Sequence, residues 1–584
     1  MREELIETIE SIAARYPKRR SALLPALHLV QRESGGFVGP EDLAAVARVI
    51  GVPLSEAYGV QSYYTMFQRR PLGKYHLQVD TNIPAMLAGA QGIVTHLEKA
   101  LGIRVGETTA DRLFTLSTVE CLASCGTCPV IQVNDRYYES MTAERTDALL
   151  ASLRRGEMPD LPAEAHFGSE CKVLLARRGA PNAADIAVYQ KGGGYKALEK
   201  ALGMSPEVVA AEVKASNLRG RGGAGFPAGV KWGFLPKDGD KPIYLICNAD
   251  EGEPGTFKDR QIMEHDPHLL IEGMAIAGHA IGARLGFIYI RGEFAWIADI
   301  LERAIDQARN RGYLGKDIRG TGVEFDIIVH LGAGAYVCGE ETALIESLEG
   351  KRGNPRLKPP FPAVVGLYGC PTIVNNVETL ASVPYIVERG AKAFMEFGTR
   401  NNFGPKIFGI SGHVRRPGTY EYPLGTRLET LLEAAGGVDG QLKAVIVGGL
   451  SVPILTAAEA EGLAMDYDSC LKKGTMLGSG GIMVMNRTTS IPEVALRTIR
   501  FYAHESCGQC TPCRQGSHAA AVLLERIVAG RGSLADIDRV LWLCSRIKGS
   551  TLCPTGDAFS IPIEAMITKF RGEFEALVQT EGGR

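Results

Sequence analysis

No apolar run in this chain approaches the ~20 residues that a membrane crossing needs, although 45% of its 584 residues are hydrophobic. A basic excess is missing as well. Sixty-four Lys and Arg stand against 66 Asp and Glu, a net charge of −2, which gives no electrostatic footprint for nucleic acid. The opening Met1-Arg-Glu-Glu is too acidic for a secretory leader, and thirteen cysteines, an odd number, do not suit a disulfide framework. These absences point to a cytoplasmic protein that meets a membrane only through partners. Length implies roughly three to five domains.

What is present is organised around Arg219-Gly-Arg-Gly-Gly-Ala-Gly-Phe-Pro-Ala-Gly-Val-Lys231-Trp232. Glycines allow backbone N–H groups to approach an anion, and Arg221 and Lys231 bring positive charge, so the stretch reads as a phosphate cradle. Gly220-x-Gly222-x-x-Gly225 fits the dinucleotide fingerprint literally. It follows a predicted helix, from Pro206 to about Leu218, rather than a strand, which argues against an ordinary Rossmann turn; a flexible surface loop is the competing reading.

Around the cradle the pattern is α/β. Ile243-Tyr-Leu-Ile-Cys247 is a continuous apolar run, as in a buried parallel strand, and it leads into Asn248-Ala-Asp250-Glu251-Gly-Glu253-Pro-Gly-Thr256-Phe-Lys-Asp259. Carboxylates at this density suit hydroxyl or amide donors rather than phosphate. A further strand at Phe325–Val329 opens into Gly332-Ala-Gly-Ala-Tyr336-Val-Cys-Gly339-Glu340-Glu341-Thr, followed by Lys351, Arg352, Arg356, Lys358 and Phe361 among prolines. Upstream, residues 1–70 read as short amphipathic helices, and 71–155 as alternating strands and helices of a thioredoxin-like domain, with one helix over 86–102.

The cysteines fall into two clusters. Cys507-x2-Cys510-x2-Cys513, then Cys553-Pro554 after 39 intervening residues, is the spacing of a four-iron cluster. Zinc is the rival, although zinc sites more often use two pairs; Cys544 is the lesser candidate for fourth ligand. The other cluster is Cys121-Leu-Ala-Ser-Cys125-Gly-Thr-Cys128-Pro.

The cradle, the Asn-Ala-Asp-Glu-Gly-Glu-Pro-Gly-Thr-Phe-Lys-Asp-Arg loop, the Gly-Ala-Gly-Ala-Tyr-Val-Cys-Gly-Glu-Glu-Thr loop and Glu505-Ser-Cys507-Gly-Gln-Cys510-Thr-Pro-Cys513 occur in this order. Together they resemble the NADH-binding flavoprotein subunit of respiratory complex I, fused behind its small ferredoxin-like subunit. The same subunit serves NAD-linked hydrogenases and formate dehydrogenases. The resemblance implies FMN held by Gly220, Arg221, Gly222, Gly223, Lys231, Asn248, Asp250, Glu251, Gly339, Glu340, Asn375 and Asn376. It implies a nucleotide touching Glu253, Glu341 and Lys358, its adenine among Phe226, Phe234 and Phe361, with Glu251 and Glu341 the candidate catalytic residues. For each phenylalanine, core packing is the alternative. It further implies a [4Fe-4S] cluster on Cys507, Cys510, Cys513 and Cys553, NAD(H) as substrate, and iron–sulfur partner subunits.

The expected architecture is multidomain α/β: a helical lobe (1–70), a thioredoxin-like domain (71–155), a linker (156–190), a Rossmann-like FMN domain (191–404), a β-grasp domain (405–488) and a four-helix bundle (489–584). One departure from the family is plain. Its two-iron site needs C-x4-C before C-x3-C, yet Asp80 and Ala85 occupy the first pair, and alanine offers no donor atom. No [2Fe-2S] cluster is therefore expected in residues 1–150, a site on Asp80, Cys121, Cys125 and Cys128 being the alternative. An electron carrier without flavin, or an assembly scaffold, are the competing functions.

Overall fold

The computed structural model describes residues 2–236 and 239–579. It opens with helices Glu3–Ala14, Leu23–Glu33, Pro40–Ile50 and Leu54–Tyr63. The third shows why they form: Pro40 occupies the first turn with Glu41 and Asp42, and Gly51 ends it at φ +80°. Next comes a sheet of β1 (Tyr75–Asp80), β2 (Phe114–Val119), β3 (Ile131–Val133) and β4 (Arg136–Tyr138) in the order β2-β1-β3-β4, with β1 and β2 parallel. The single helix expected over 86–102 is two, Ile83–Leu87 and Ala90–Leu101, broken where Gly89 takes φ +87°.

The stretch expected to be a linker carries β5 (His166–Ser169). This strand later joins a distant sheet, so the connection is docked rather than loose.

The central sheet consists of β6 (Tyr244–Ala249), β7 (Leu285–Ile290), β8 (Asp326–Leu331) and β9 (Thr372–Asn376), all parallel, in the order β8-β7-β6-β9. The middles of its strands are mostly apolar because both faces are covered, and polar residues gather at their carboxyl ends. Tyr244, Ile246, Phe287, Tyr289 and Ile328 pack under the N-terminal helices. Leu245, Cys247, Ile288, Ile290 and Ile327 pack against Pro267–Ile281 and Ala295–Asn310 on the other side. Tyr16 of the lobe hydrogen-bonds the buried His330 at 3.0 Å, and the Tyr64 hydroxyl donates to the Lys351 carbonyl at 2.7 Å. The chain runs outward from β6 to β8 and then places β9 on β6's other flank. That reversal leaves a crevice at the carboxyl ends of β6 and β9, where Asn248 is in register with Asn376.

After the short hairpin β10 (Gly398–Thr399) and β11 (Asn402–Phe403) come β12 (Pro405–Gly412), β13 (Gly418–Pro423), β14 (Leu442–Ile446), β15 (Leu455–Thr456) and β16 (Gly481–Asn486). With β5 added in parallel to β13, these last five make a six-stranded sheet, β15-β14-β16-β12-β13-β5. The added segment is pinned by Glu421, which accepts hydrogen bonds from the Ser169 hydroxyl and from the amides of Val173, Leu174 and Leu175.

Five helices finish the described chain: Ile491–Glu505, Thr511–Val528, Leu534–Ile547, Thr555–Lys569 and Arg571–Gln579. Their apolar faces form one core around Ile499, Leu524, Val540 and Ile563.

Candidate active site

The cradle follows a helix that ends at Ala215, earlier than expected. It is a closed loop: Arg219 and Pro227 pair as an isolated antiparallel bridge, Gly220 N donates to Phe226 O at 2.9 Å and Ala228 N to Leu218 O at 2.8 Å. At Gly222 a Cβ would lie 3.0 Å from Asn376 Cβ, and Gly223 holds φ +138°, so glycine is what lets this loop approach β9. Arg221 turns inward. Fully buried, it donates from Nη2 to the carbonyls of Phe403 (2.8 Å) and Pro405 (3.0 Å), while Nε and Nη1 have no partner.

The crevice at β6 and β9 is a cavity of about 360 Å³. The cradle contributes Gly222; the end of β6 contributes Asn248, Asp250, Glu251 and Glu253; the turn before Glu341 contributes Gly339 and Glu340; and β9 contributes Asn376. Thus eight predicted residues from four separate stretches line one space. Gly220, Gly223, Asn375 and Glu341 stand behind or beside it, Asn375 accepting from Trp232 Nε1 at 2.8 Å.

Lys231 and Lys358 are tied to the rim. Lys231 Nζ reaches Glu341 at 2.7 Å, and Lys358 Nζ reaches Glu340 at 2.8 Å and Glu341 at 2.9 Å. Phe226, Phe234 and Phe361 are 47, 56 and 57% exposed, the first two in ring contact at 5.8 Å. Glu253 is fully engaged, accepting from Tyr336 Oη and Ser451 N at 2.7 Å each.

Behind the cavity lies a charge cluster that sequence reasoning misses. Lys258, which lines the cavity and is fully buried, pairs with Asp259 at 2.6 Å and Glu378 at 3.0 Å; Lys406, also buried, pairs with Glu378 at 2.7 Å. Burial would push the Glu378 carboxyl up, but Lys258 and Lys406, with Arg221 beyond, hold it down at about 2. Burial lowers Lys406 to about 7, while Asp259, Glu378 and Glu251 together keep Lys258 charged. Lys258 belongs to the carboxylate-rich loop after β6, but Glu378 and Lys406 lie in unremarkable sequence and meet only through the fold.

The carboxylates facing the cavity are of two kinds. Glu251 accepts from the amides of Asp259 (2.7 Å) and Arg260 (2.9 Å), and burial together with neighbouring Asp259 raises it to about 7. Asp250 Oδ2 is buried with no partner at all, and burial pushes its carboxyl well above the usual range.

Cys507, Cys510, Cys513 and Cys553 line one small pocket. The fold achieves this by ending Ile491–Glu505 just before Cys507, starting the next helix at Thr511, and bringing Cys553 in ahead of Thr555–Lys569. Burial raises the Cys507, Cys513 and Cys553 thiols, Cys513 to about 11, so a bound cation would be needed to keep them as thiolates. Among the described residues no three His, Cys, Asp or Glu side chains converge on a point as a single ion requires; the thiols surround a space. Cys544 is buried in the helical core and does not line that pocket. Thr555 lines both this pocket and the 360 Å³ cavity, with Pro554, Asp557 and Ala558 beside it on the cavity wall.

In the N-terminal domain the thiols are occupied differently. Asn82 Nδ2 donates to Cys121 Sγ at 3.3 Å and Cys125 Sγ at 3.4 Å. Asp80 accepts from Asn82 N, Asn82 Nδ2 and Leu122 N at 3.0–3.1 Å. Cys128 Sγ points to the Ser124 carbonyl at 3.6 Å, and Ala85 is fully buried.

Comparison with known proteins decides the family. Residues 213–385 match the Nuo51 FMN-binding domain, 9–154 the thioredoxin-like [2Fe-2S] ferredoxin, 493–577 the NADH-ubiquinone oxidoreductase-F iron-sulfur binding region, and 407–454 the SLBB domain. An F-type subunit of NADH-quinone oxidoreductase from Rhizobium meliloti (strain 1021) is 52% identical over 411 residues, covering 70% of this chain and 97% of its own. The chain belongs to the NADH-quinone oxidoreductase F-type family. The corresponding NADH-quinone oxidoreductase chain of Rickettsia bellii (strain OSU 85-389) is 50% identical over 399 residues, 68% of this chain and 96% of that one. A chain of an NAD+-reducing [NiFe]-hydrogenase, in a crystal structure of the H2-reduced state, is 33% identical with a TM-score of 0.87 over 97% of this chain and 94% of that one. Similarity to the F-type relatives thus covers about two thirds of the sequence, and the hydrogenase likeness runs nearly end to end. As a member of the F-type family the chain is a multidomain α/β oxidoreductase subunit with FMN-binding, iron–sulfur and thioredoxin-like regions.

Proposed function

We propose that the chain transfers a hydride between NADH and FMN and passes electrons singly to a [4Fe-4S] centre and on to iron–sulfur partner subunits, first of all within a complex I-type enzyme. The observation that carries this reading is the shared wall: the cavity built by Gly222, Asn248 and Asn376 and the four-thiol pocket meet at Thr555. The residues suit an FMN. Gly222, where a Cβ would lie 3.0 Å from Asn376, leaves the cradle's bare backbone open to close approach by a ligand, and the buried Lys258 lines the same cavity. FMN, when bound, supplies the hydride acceptor and divides an electron pair into single electrons.

The chain's own groups bind and orient. Asn248, Asp250 and Glu251 offer hydrogen-bonding groups along one side of the cavity, and Lys231 and Lys358 hold Glu340 and Glu341 at its rim. Phe226, Phe234 and Phe361 present exposed faces for an adenine ring. The thiols of Cys507, Cys510, Cys513 and Cys553 provide the four ligands of the cluster. Residues 405–488 act as a β-grasp domain and 489–584 as the cluster-bearing bundle.

A second parent assembly, the diaphorase unit of an NAD-linked hydrogenase or formate dehydrogenase, is favoured by the fused N-terminal domain and the near end-to-end hydrogenase likeness; co-purifying subunits distinguish the two. For the N-terminal domain we infer that no [2Fe-2S] cluster is bound, because Ala85, fully buried, stands where a ligand is needed and has no donor atom.

Iron-loaded protein is expected to carry flavin absorbance, NADH–ferricyanide activity and four irons. Cys510→Ser should lose the irons and electron export while keeping the flavin, since the cradle belongs to another core. Stoichiometric zinc, or colourless protein, would overturn the reading; six irons would restore the N-terminal cluster.

A further inference from the structure

Three cavities lie in a row. The flavin cavity shares Asp250, Gly252 and Tyr336 with a second cavity of about 390 Å³, walled by the segment after the N-terminal helices, the thioredoxin-like sheet, the central sheet's loops and the helix Ile491–Glu505. The second shares Gln68, His76, Gln78 and Gln132 with a third of about 470 Å³, which ends among exposed Arg32, Lys74 and Asp135. Beside Met66 and Leu72 at the junction, side chains that can donate or accept recur along the row: Gln78 and Gln132, His76 bonded to Ser117 Oγ at 2.7 Å, and His504 further in. At its inner end stands Asp250, whose Oδ2 is buried and has no partner.

We propose that this passage is a proton exit from the flavin cavity, with Asp250 as the group that hands the proton from that cavity to the second one. The inference rests on the function proposed above. Oxidation of NADH to NAD+ releases two electrons and one proton. The electrons leave toward the four-thiol pocket beside Thr555, and the proton must reach bulk solvent. A protonated Asp250 gives its proton to water in the second cavity and takes one from the flavin cavity, so each turnover moves one proton outward and leaves the carboxyl unchanged.

The surroundings keep that carboxyl ready to do so. Burial raises it, Arg291 opposes the rise, and Glu293 and Glu505 add to it. Arg291 is itself held by Glu293 at 2.8 Å and by the Glu251 carbonyl at 2.8 Å, and Glu505 accepts from Tyr336 N at 2.9 Å. His76, lowered to about 4 by burial, stays neutral at pH 7 and relays by accepting and donating in turn.

The test uses the full holo chain mixed with NADH and ferricyanide, an indicator dye reporting the proton while flavin absorbance reports reduction and then reoxidation, the step that frees the proton. Gln78→Trp fills the passage far from the flavin, and Gln78→Leu strips its hydrogen bonding at similar size. Both should leave flavin reduction unchanged and slow proton appearance about tenfold or more. Infrared spectra of the resting protein should contain a protonated carboxyl band that Asp250→Asn removes. Proton release that keeps pace with the flavin in both Gln78 variants, or an unchanged carboxyl band in Asp250→Asn, overturns the exit alone. Wild-type flavin that NADH does not bleach overturns the functional reading and the exit with it.

Discussion

Glu378 sits fully buried between Lys258 and Lys406, with no solvent to share its charge. Removing it strands two cations, and breaking a buried pair from one side costs about 3–5 kcal/mol. Glu378→Gln is therefore expected to lower stability by about that amount in denaturant titration, and a change under about 1 kcal/mol would show that the cations are hydrated. The pH sign follows from the depressed carboxyl. Its folded value is about 2 against an ordinary 4.5, so the stabilisation is complete above 4.5 and is lost as pH falls toward about 2. None of this is legible in the sequence. Arg221, Lys258, Glu378 and Lys406 are scattered over some 185 positions (221 to 406), and side-chain direction depends on tertiary contacts: Arg221, expected to face the phosphate, turns instead to the carbonyls of Phe403 and Pro405.

At the scale of elements, legibility tracks burial on both faces. β6 and β8 can be read because a strand covered on both sides is apolar through its middle, and β1 to β3 because they alternate with helical periodicity. β5 cannot: His166-Phe-Gly-Ser is four residues with no pattern, and what fixes it is Glu421, about 250 positions away. Glu421→Ala leaves the amides of Val173, Leu174 and Leu175 without an acceptor. We expect a loss of about 3 kcal/mol or more, with proteolytic cleavage appearing first within 156–190. Cleavage elsewhere first would mean that β5 is held by its ladder to β13 rather than by this carboxylate. The helix expected over 86–102 fails for a simpler reason: Gly89 reads as a tolerated interior glycine but takes a left-handed conformation.

For the whole molecule, the N-terminal helices are part of the central sheet's core. Tyr244, Ile246, Phe287 and Ile328 share that core with Leu23, Leu27 and Val30 of the lobe and with Leu344 and Leu348. A chain beginning at residue 191 is expected to aggregate on expression and to become soluble when residues 1–190 are supplied separately. A monodisperse, flavin-binding fragment 191–584 would refute that dependence. The site itself is the most readable part of the molecule. Its glycine and carboxylate loops are local motifs at strand ends, and eight of their residues line one cavity; the shared wall at Thr555 is not foreseeable because it joins two domains.

The strand β5, zipped into the sheet at residues 405–486, also fixes a stoichiometry. Two separate subunits meeting across the same surface would be governed by a dissociation constant and would part on dilution. Here the covalent path from Arg154 to β5 is short and anchored at its far end, so the partner is present at an effective concentration set by the tether and not by the cell. Every flavin domain therefore carries one thioredoxin-like domain at any dilution, and the cavity that both of them wall cannot be titrated open.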